Sequence, residues 1–187
     1  ASARPGAPAP LKLALPATLT IPEISRHAAE LGWIWSHAER DDAGSYASVT
    51  WTSSDGATIH LRVGIATALW FEGPAAEAIA SQARPVLPLR DRRDLLTALS
   101  GDLDPETRKE ALLALSAVAP ERLDAEIERV ILADTQHAEP AVRWEAVRAA
   151  GGTGWRELLP RLAAVSEEDP DPHVRKLAGT IVALMGG

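Results

Sequence analysis

The sequence predicts a chain in two parts. The first is a small α+β domain: a helix, three or four antiparallel strands in a meander, then a second helix. The second is an all-α solenoid of three helical hairpins. Three observations predict this. Residues 33–72 carry apolar alternation broken by turn signals, as half-buried strands do. From Asp91 onward those signals vanish and a 3.6-residue period replaces them. Within that half, an acidic-Pro-x-x-Arg-x-x-Ala pattern occurs three times: "DPETRKEALLALS" from Asp104, "EPAVRWEAVRAAGG" from Glu139 and "DPHVRKLAGTIVA" from Asp171. Its arginines, Arg108, Arg143 and Arg175, stand 35 and then 32 residues apart, a period characteristic of helical-repeat arrays.

Residues 1–10 are Ala/Pro-rich and read as a disordered tail, with the α+β domain over 11–85. "LKLAL" adds a short strand. "TIPEISRHAAELGW" is a helix: Thr20 caps it, Glu23 completes a capping box, Pro22 lies in the first turn and Gly32 ends it. "WIWSHAE" and "SYASVTW" follow as strands, separated by "RDDAG". After the turn "SSDG", "ATIHLRVGIATALWF" is a long run that begins with strand alternation. Ile59, Leu61, Val63 and Ile65 take one face, His60 and Arg62 the other, and Gly64 marks a bulge or bend. A second helix begins at Pro74, just after Gly73. Residues 86–90 of "RPVLPLRDRR" read as a linker, and 91–187 as the repeat domain.

The hairpins pair 91–100 with 105–118, 121–133 with 140–150, and 155–165 with 172–185. Proline stands first in each second helix, preceded by Asp104, Glu139 or Asp171 as caps. "AGGTGW" predicts an early end to the second helix of the middle hairpin. These openings resemble the HEAT-like repeats, including the short variety of phycobilin-lyase-type proteins. The resemblance covers residues 91–187 and implies that Ala111, Ala146 and Ala178 let helices approach. It also implies that Arg108, Arg143 and Arg175 stack along the array and bridge to acidic residues of neighbouring loops. It is nearly silent on function, because one fold hosts many functions.

The columns that differ between repeats are the candidates for binding. Just after each arginine stand Lys109, Trp144 and Lys176; four residues further stand Leu113, Arg148 and Thr180, on the same helix face. Architecture asks for sameness along an array, whereas binding tolerates difference. These six are the candidate partner-binding residues, with Trp144 beside Arg148 as the anchor.

Composition narrows the function classes. There is no cysteine, which excludes disulfides, thiolate metal sites and cysteine nucleophiles. The net charge of −7 divides into −1 for residues 1–90 and −6 for 91–187. That excess argues against nucleic acid as the partner, although Lys109, Trp144, Arg148 and Lys176 are the residues that would carry such binding. No apolar run is long enough to span a bilayer. "ASARPGAPAP" lacks the features of a secretory leader, and the compartment stays open with the cytoplasm favoured. No phosphate loop, nucleophile elbow, dinucleotide fingerprint or histidine metal pair is present. "SEEDPDP" (Ser166–Pro172) lacks the glycine-pivoted spacing of a calcium loop.

The expectation is a non-catalytic protein-interaction module without cofactor or metal: an adaptor, a scaffold or an inhibitor or immunity-type binder. A homodimer through the C-terminal helix, with Ile181, Val182, Leu184 and Met185, is a further partner reading. The alternative is a small-ligand or catalytic role in the α+β domain, around His37, His60 and Arg62. The tryptophans there read mainly as core residues.

Overall fold

A computed structural model describes residues 9–64 and 66–187, so the expected disordered tail falls largely, and Ile65 wholly, outside the described residues. The chain divides into two compact units between Arg90 and Asp91.

The first unit contains β1 (Leu11–Leu15), α1 (Ile21–Glu30), β2 (Ile34–Arg40), β3 (Tyr46–Thr52), β4 (Thr58–Val63), β5 (Thr67–Glu72) and α2 (Ala76–Ala83). The five strands form one antiparallel sheet in the order β1-β5-β4-β3-β2. The long run after "SSDG" is two strands, β4 and β5, on either side of the bend that Gly64 marks. It folds back near Gly64 so that Leu61 pairs with Leu69 and Ile59 with Phe71. Directly paired residues share a sheet face, so this return keeps the large apolar side chains together and satisfies the backbone groups of both halves. "LKLAL" is β1 and closes the sheet against β5.

Leu13, Val49, Trp51, Ile59, Leu61, Leu69 and Phe71 form the buried face. Ile24 and Ala28 of α1 and Ile79, Ala80 and Ala83 of α2 belong to the same core. Both helices thus serve one face of the sheet. The Thr20 capping box forms as expected, with Thr20 N–H donating to Glu23 Oε2 at 2.9 Å. The second helix starts later than Pro74, at Ala76, without a side-chain cap. Residues 86–90 are not a free linker. Leu87 and Leu89 are buried in the first core, and Arg90 exchanges two backbone hydrogen bonds with Ala14 at 2.8 and 3.0 Å.

The second unit contains α3 (Arg92–Leu99), α4 (Pro105–Val118), α5 (Ala125–Asp134), α6 (Pro140–Thr153), a 3₁₀ turn (Arg156–Leu158), α7 (Leu159–Glu168) and α8 (Pro172–Gly186). Hairpins α3/α4, α5/α6 and α7/α8 form, and the second helices also stack, α4 on α6 and α6 on α8. Ala111, Ala146 and Ala178 are each fully buried. Asp104 and Asp171 cap their helices, but Glu139 makes no side-chain cap bond. Glutamate, a methylene longer than aspartate, is not among the favoured cap residues.

The middle hairpin does not end early. α6 runs through Gly151 and Gly152 and stops at Gly154, which takes the left-handed conformation (φ 71°). Gly151 has a packing reason: a Cβ there would lie 2.9 Å from Ile181 Cδ1 and 3.2 Å from its Cγ2. A residue that weakens a helix by about 1 kcal/mol is offset by the close approach it allows to α8.

The repeated arginines form a ladder. Arg108 donates to Asp134 through Nε at 2.9 Å, with Nη2 in ion-pair contact with the same oxygen at 2.8 Å, and to the Leu99 carbonyl at 3.4 Å. Arg143 grips both oxygens of Asp169, at 2.8 and 3.0 Å, and the carbonyls of His137 and Ala138. Each arginine joins its own hairpin loop to the end of the next hairpin's first helix. Arg175 repeats the loop half, donating to the Asp169 and Pro170 carbonyls. Trp155, which starts the third hairpin, is 2 % exposed and donates its indole N–H to the Pro120 carbonyl at 3.1 Å.

Burial alone would raise the Asp169 pKa, but hydrogen bonds from Arg143 and the Asp171 N–H outweigh it and hold the carboxyl below its usual value. A depressed pKa contributes stability that is full above the unfolded value and lost as pH falls through the folded one. Asp169→Ala, which strands Arg143, is expected to cost about 3–5 kcal/mol at neutral pH. Urea unfolding checks this, and the variant should show less stability loss than the parent below the usual carboxylate range. Gly151→Val is expected to cost about 1–3 kcal/mol through overpacking against Ile181 in the same assay.

Candidate partner-binding surface

The candidate surface is built from the first turns of α4, α6 and α8. Each of the three helices starts at a proline, with Asp104 and Asp171 capping α4 and α8, and the arginine ladder holds them side by side. Between them lies a shallow groove of about 340 Å³. Trp144, Pro140, Ala141 and Val174 supply its apolar lining; Lys109, Glu145, Asp171 and His173 supply its polar groups.

Of the six sequence-predicted residues, the groove brings together Lys109 and Trp144. Arg148 is engaged within its own helix. Its guanidinium lies 5.0 Å from the Trp144 ring centroid and donates to both Glu145 oxygens at 3.0 and 3.1 Å. Lys109 donates to Glu106 at 2.7 Å, so its charge is shared with the outer side of α4. Leu113 is half-buried; Lys176 and Thr180 are exposed, and Thr180 donates to the Lys176 carbonyl at 2.9 Å. None of these last three lines the groove among the described residues.

Sequence reasoning missed Glu145 and His173. Glu145 follows Trp144 directly, in a column with Glu110 and Leu177, and His173 shares a column with Glu106 and Ala141. Both columns vary between repeats, which is the signal that singled out Trp144. Glu145 is the least ordinary group in the groove, its side chain only 15 % exposed. Burial raises its pKa, and the charges of Arg148 and Lys109 only partly oppose this. At neutral pH the ionised carboxylate therefore sits in a site that under-solvates it.

The other tryptophans divide. Trp33, Trp51 and Trp155 are buried, Trp70 is half-buried and Trp35 is 47 % exposed on the edge strand β2. Trp35 stacks edge-on to Trp51 at 5.9 Å and Tyr46 at 6.1 Å. His37, His60 and Arg62 are not assembled into one site. β3 lies between β2 and β4, and His37 and His60 both pair with Thr50 across it, about 10 Å apart at normal strand spacing. His60 contacts Thr50 at 3.1 Å and Glu72 at 3.6 Å, while Arg62 lies over Trp70 at 4.9 Å. Two of the four "SEEDPDP" acids have structural partners: Asp169 holds Arg143 and Asp171 caps α8. On α8, Ile181, Val182 and Met185 are half-buried, and Leu184 is 78 % exposed. Among the described residues, no helix is long and apolar enough to cross a membrane.

No protein-family model, curated protein or solved structure matches the chain.

The groove's electrostatics give a direct check. The Glu145 carboxyl should titrate above the ordinary glutamate range in carbon-13 NMR, and Arg148→Met should raise it further. The sign follows from burial favouring the neutral acid and Arg148 opposing it. A value at or below the ordinary range would contradict the burial assigned to it.

Proposed function

We propose that the chain is a non-catalytic protein-interaction module, built as a HEAT-like array, whose working surface is the second-helix face of its repeats. An adaptor, a scaffold or an inhibitor or immunity-type binder all fit this description. One observation carries the reading: the varying columns of three hairpins converge on a groove with a half-buried tryptophan in its wall. The repeated Arg and Ala columns have structural duties. Trp144, Lys109 and His173 lie in a groove open to the surface, where an aromatic anchor of a partner interface belongs. The groove is open to the surface rather than enclosed, which suits a protein segment better than a small molecule.

A pull-down from source-cell lysate tests this, comparing the intact chain with a Trp144→Ala, Arg148→Glu variant whose fold is confirmed by circular dichroism. The expected outcome is one enriched protein, reduced at least tenfold or so with the folded variant, as hot-spot truncation does. Equal capture by both forms would transfer the binding role to the first unit, where Trp35 and Ile34 are exposed. Capture by neither would end the adaptor reading in favour of the small-ligand alternative.

A further inference from the structure

We propose that the groove between α4, α6 and α8 recognises a basic side chain, an arginine above all, presented by an extended basic segment of a protein partner. This rests on the protein-interaction reading above and names the chemistry of the partner.

The charge balance supplies the first argument. Residues 91–187 carry a net charge of −6. At the starts of the second helices, Asp104, Glu106, Glu110, Glu139, Glu145 and Asp171 stand against Lys109, Arg175 and Lys176, with Arg108 and Arg143 already neutralised by Asp134 and Asp169 and Lys109 by Glu106. A basic partner is steered to such a surface and an acidic one repelled.

The groove itself supplies the second. The Trp144 ring already accepts one guanidinium, that of Arg148, at 5.0 Å, and Glu145 already accepts that guanidinium's hydrogen bonds. The helix thus holds an arginine by an aromatic face and a carboxylate within one turn. Trp144 and Glu145 also line the groove, with Asp171 and the apolar Pro140 and Val174 beside them; Lys109, the cation of that lining, is paired with Glu106, and His173 completes it. An arginine's flat head and aliphatic stem match that mixture, because the stem packs on apolar surface while the guanidinium pairs with carboxylates. Glu145 gains most from such a guest. Buried and ionised with incomplete compensation, it is stabilised by each further cation brought against it.

The test uses the whole chain and an acetylated hexa-arginine peptide at moderate salt, with hexa-glutamate as the control. The Trp144 indole N–H resonance, assigned through Trp144→Phe, is followed by NMR. Saturable shifting by hexa-arginine is expected, with affinity about tenfold weaker in Glu145→Gln, the size of one partly desolvated charged contact. Asp171→Ser keeps a helix cap while removing its carboxylate, and should also weaken binding several-fold. No shift with hexa-arginine, an equal shift with hexa-glutamate, or indifference to both substitutions would overturn the proposal. The outcomes separate from those of the interaction reading. If the lysate partner is lost from the Trp144→Ala, Arg148→Glu variant but bound normally by Glu145→Gln and Asp171→Ser, the surface stands and the basic guest does not.

Discussion

The pairing of Arg143 with Asp169 is the most buried ion pair among the described residues. The arginine is 7 % exposed and the aspartate equally buried, so neither charge is at ease without the other. Asp169 also accepts the Asp171 N–H on its carboxylate, and its backbone carbonyl accepts from Arg175. One aspartate therefore joins the end of α7, the start of α8 and the first turn of α6. The rung before it is less complete. Arg108 places both of its contacts on one oxygen of Asp134 and leaves the other, Oδ2, buried without a partner among the described residues. A buried carboxylate oxygen so placed is costly, which makes the first junction the softer of the two. Arg92 reinforces it from the other end, donating to both oxygens of Asp124 and to Glu126.

This ladder explains where a binding surface can form. Repeat proteins contact mainly their neighbours, so the register of one hairpin on the next is set at each junction. With Arg108 and Arg143 locking those junctions on the loop side, the first turns of α4, α6 and α8 are held as a row. Residues just after the arginines are then brought to the exposed edge of that row. Trp144, Glu145 and His173 owe their proximity to the ladder, although none of them belongs to it.

Much of the fold was legible because its signals are local. The Pro-started helices and the Thr20 capping box follow from spacing alone, while the close packing of Ala111, Ala146 and Ala178 is implied by the HEAT-like resemblance. The arginine bridges follow from the family resemblance. What failed depends on partners distant in sequence. "ATIHLRVGIATALWF" keeps its alternation across the bend, so Gly64 marks a bulge or bend without showing that β5 must turn back fully onto β4. Leu87 and Leu89 look like linker residues flanked by prolines until the first core is seen to bury them. Gly151 and Gly152 look like a helix stop until Ile181 is placed against them. The candidate surface was half legible. Column variation picked out Trp144 and Lys109, but it also picked Arg148, whose donors are taken within its own helix, and Thr180, which bonds back to Lys176. Glu145 was overlooked because a glutamate on a helix is ordinary in sequence; only its burial makes it unusual.

The account's central claim is that the row of first turns on α4, α6 and α8 is the working surface. Hydrogen exchange by mass spectrometry on the chain, alone and with its captured protein partner, tests it most directly. The account predicts slowed exchange in peptides covering 105–110, 140–146 and 172–176, with β2 and β3 unchanged. Protection confined to the first unit, with those three segments exchanging as in the free chain, would contradict it.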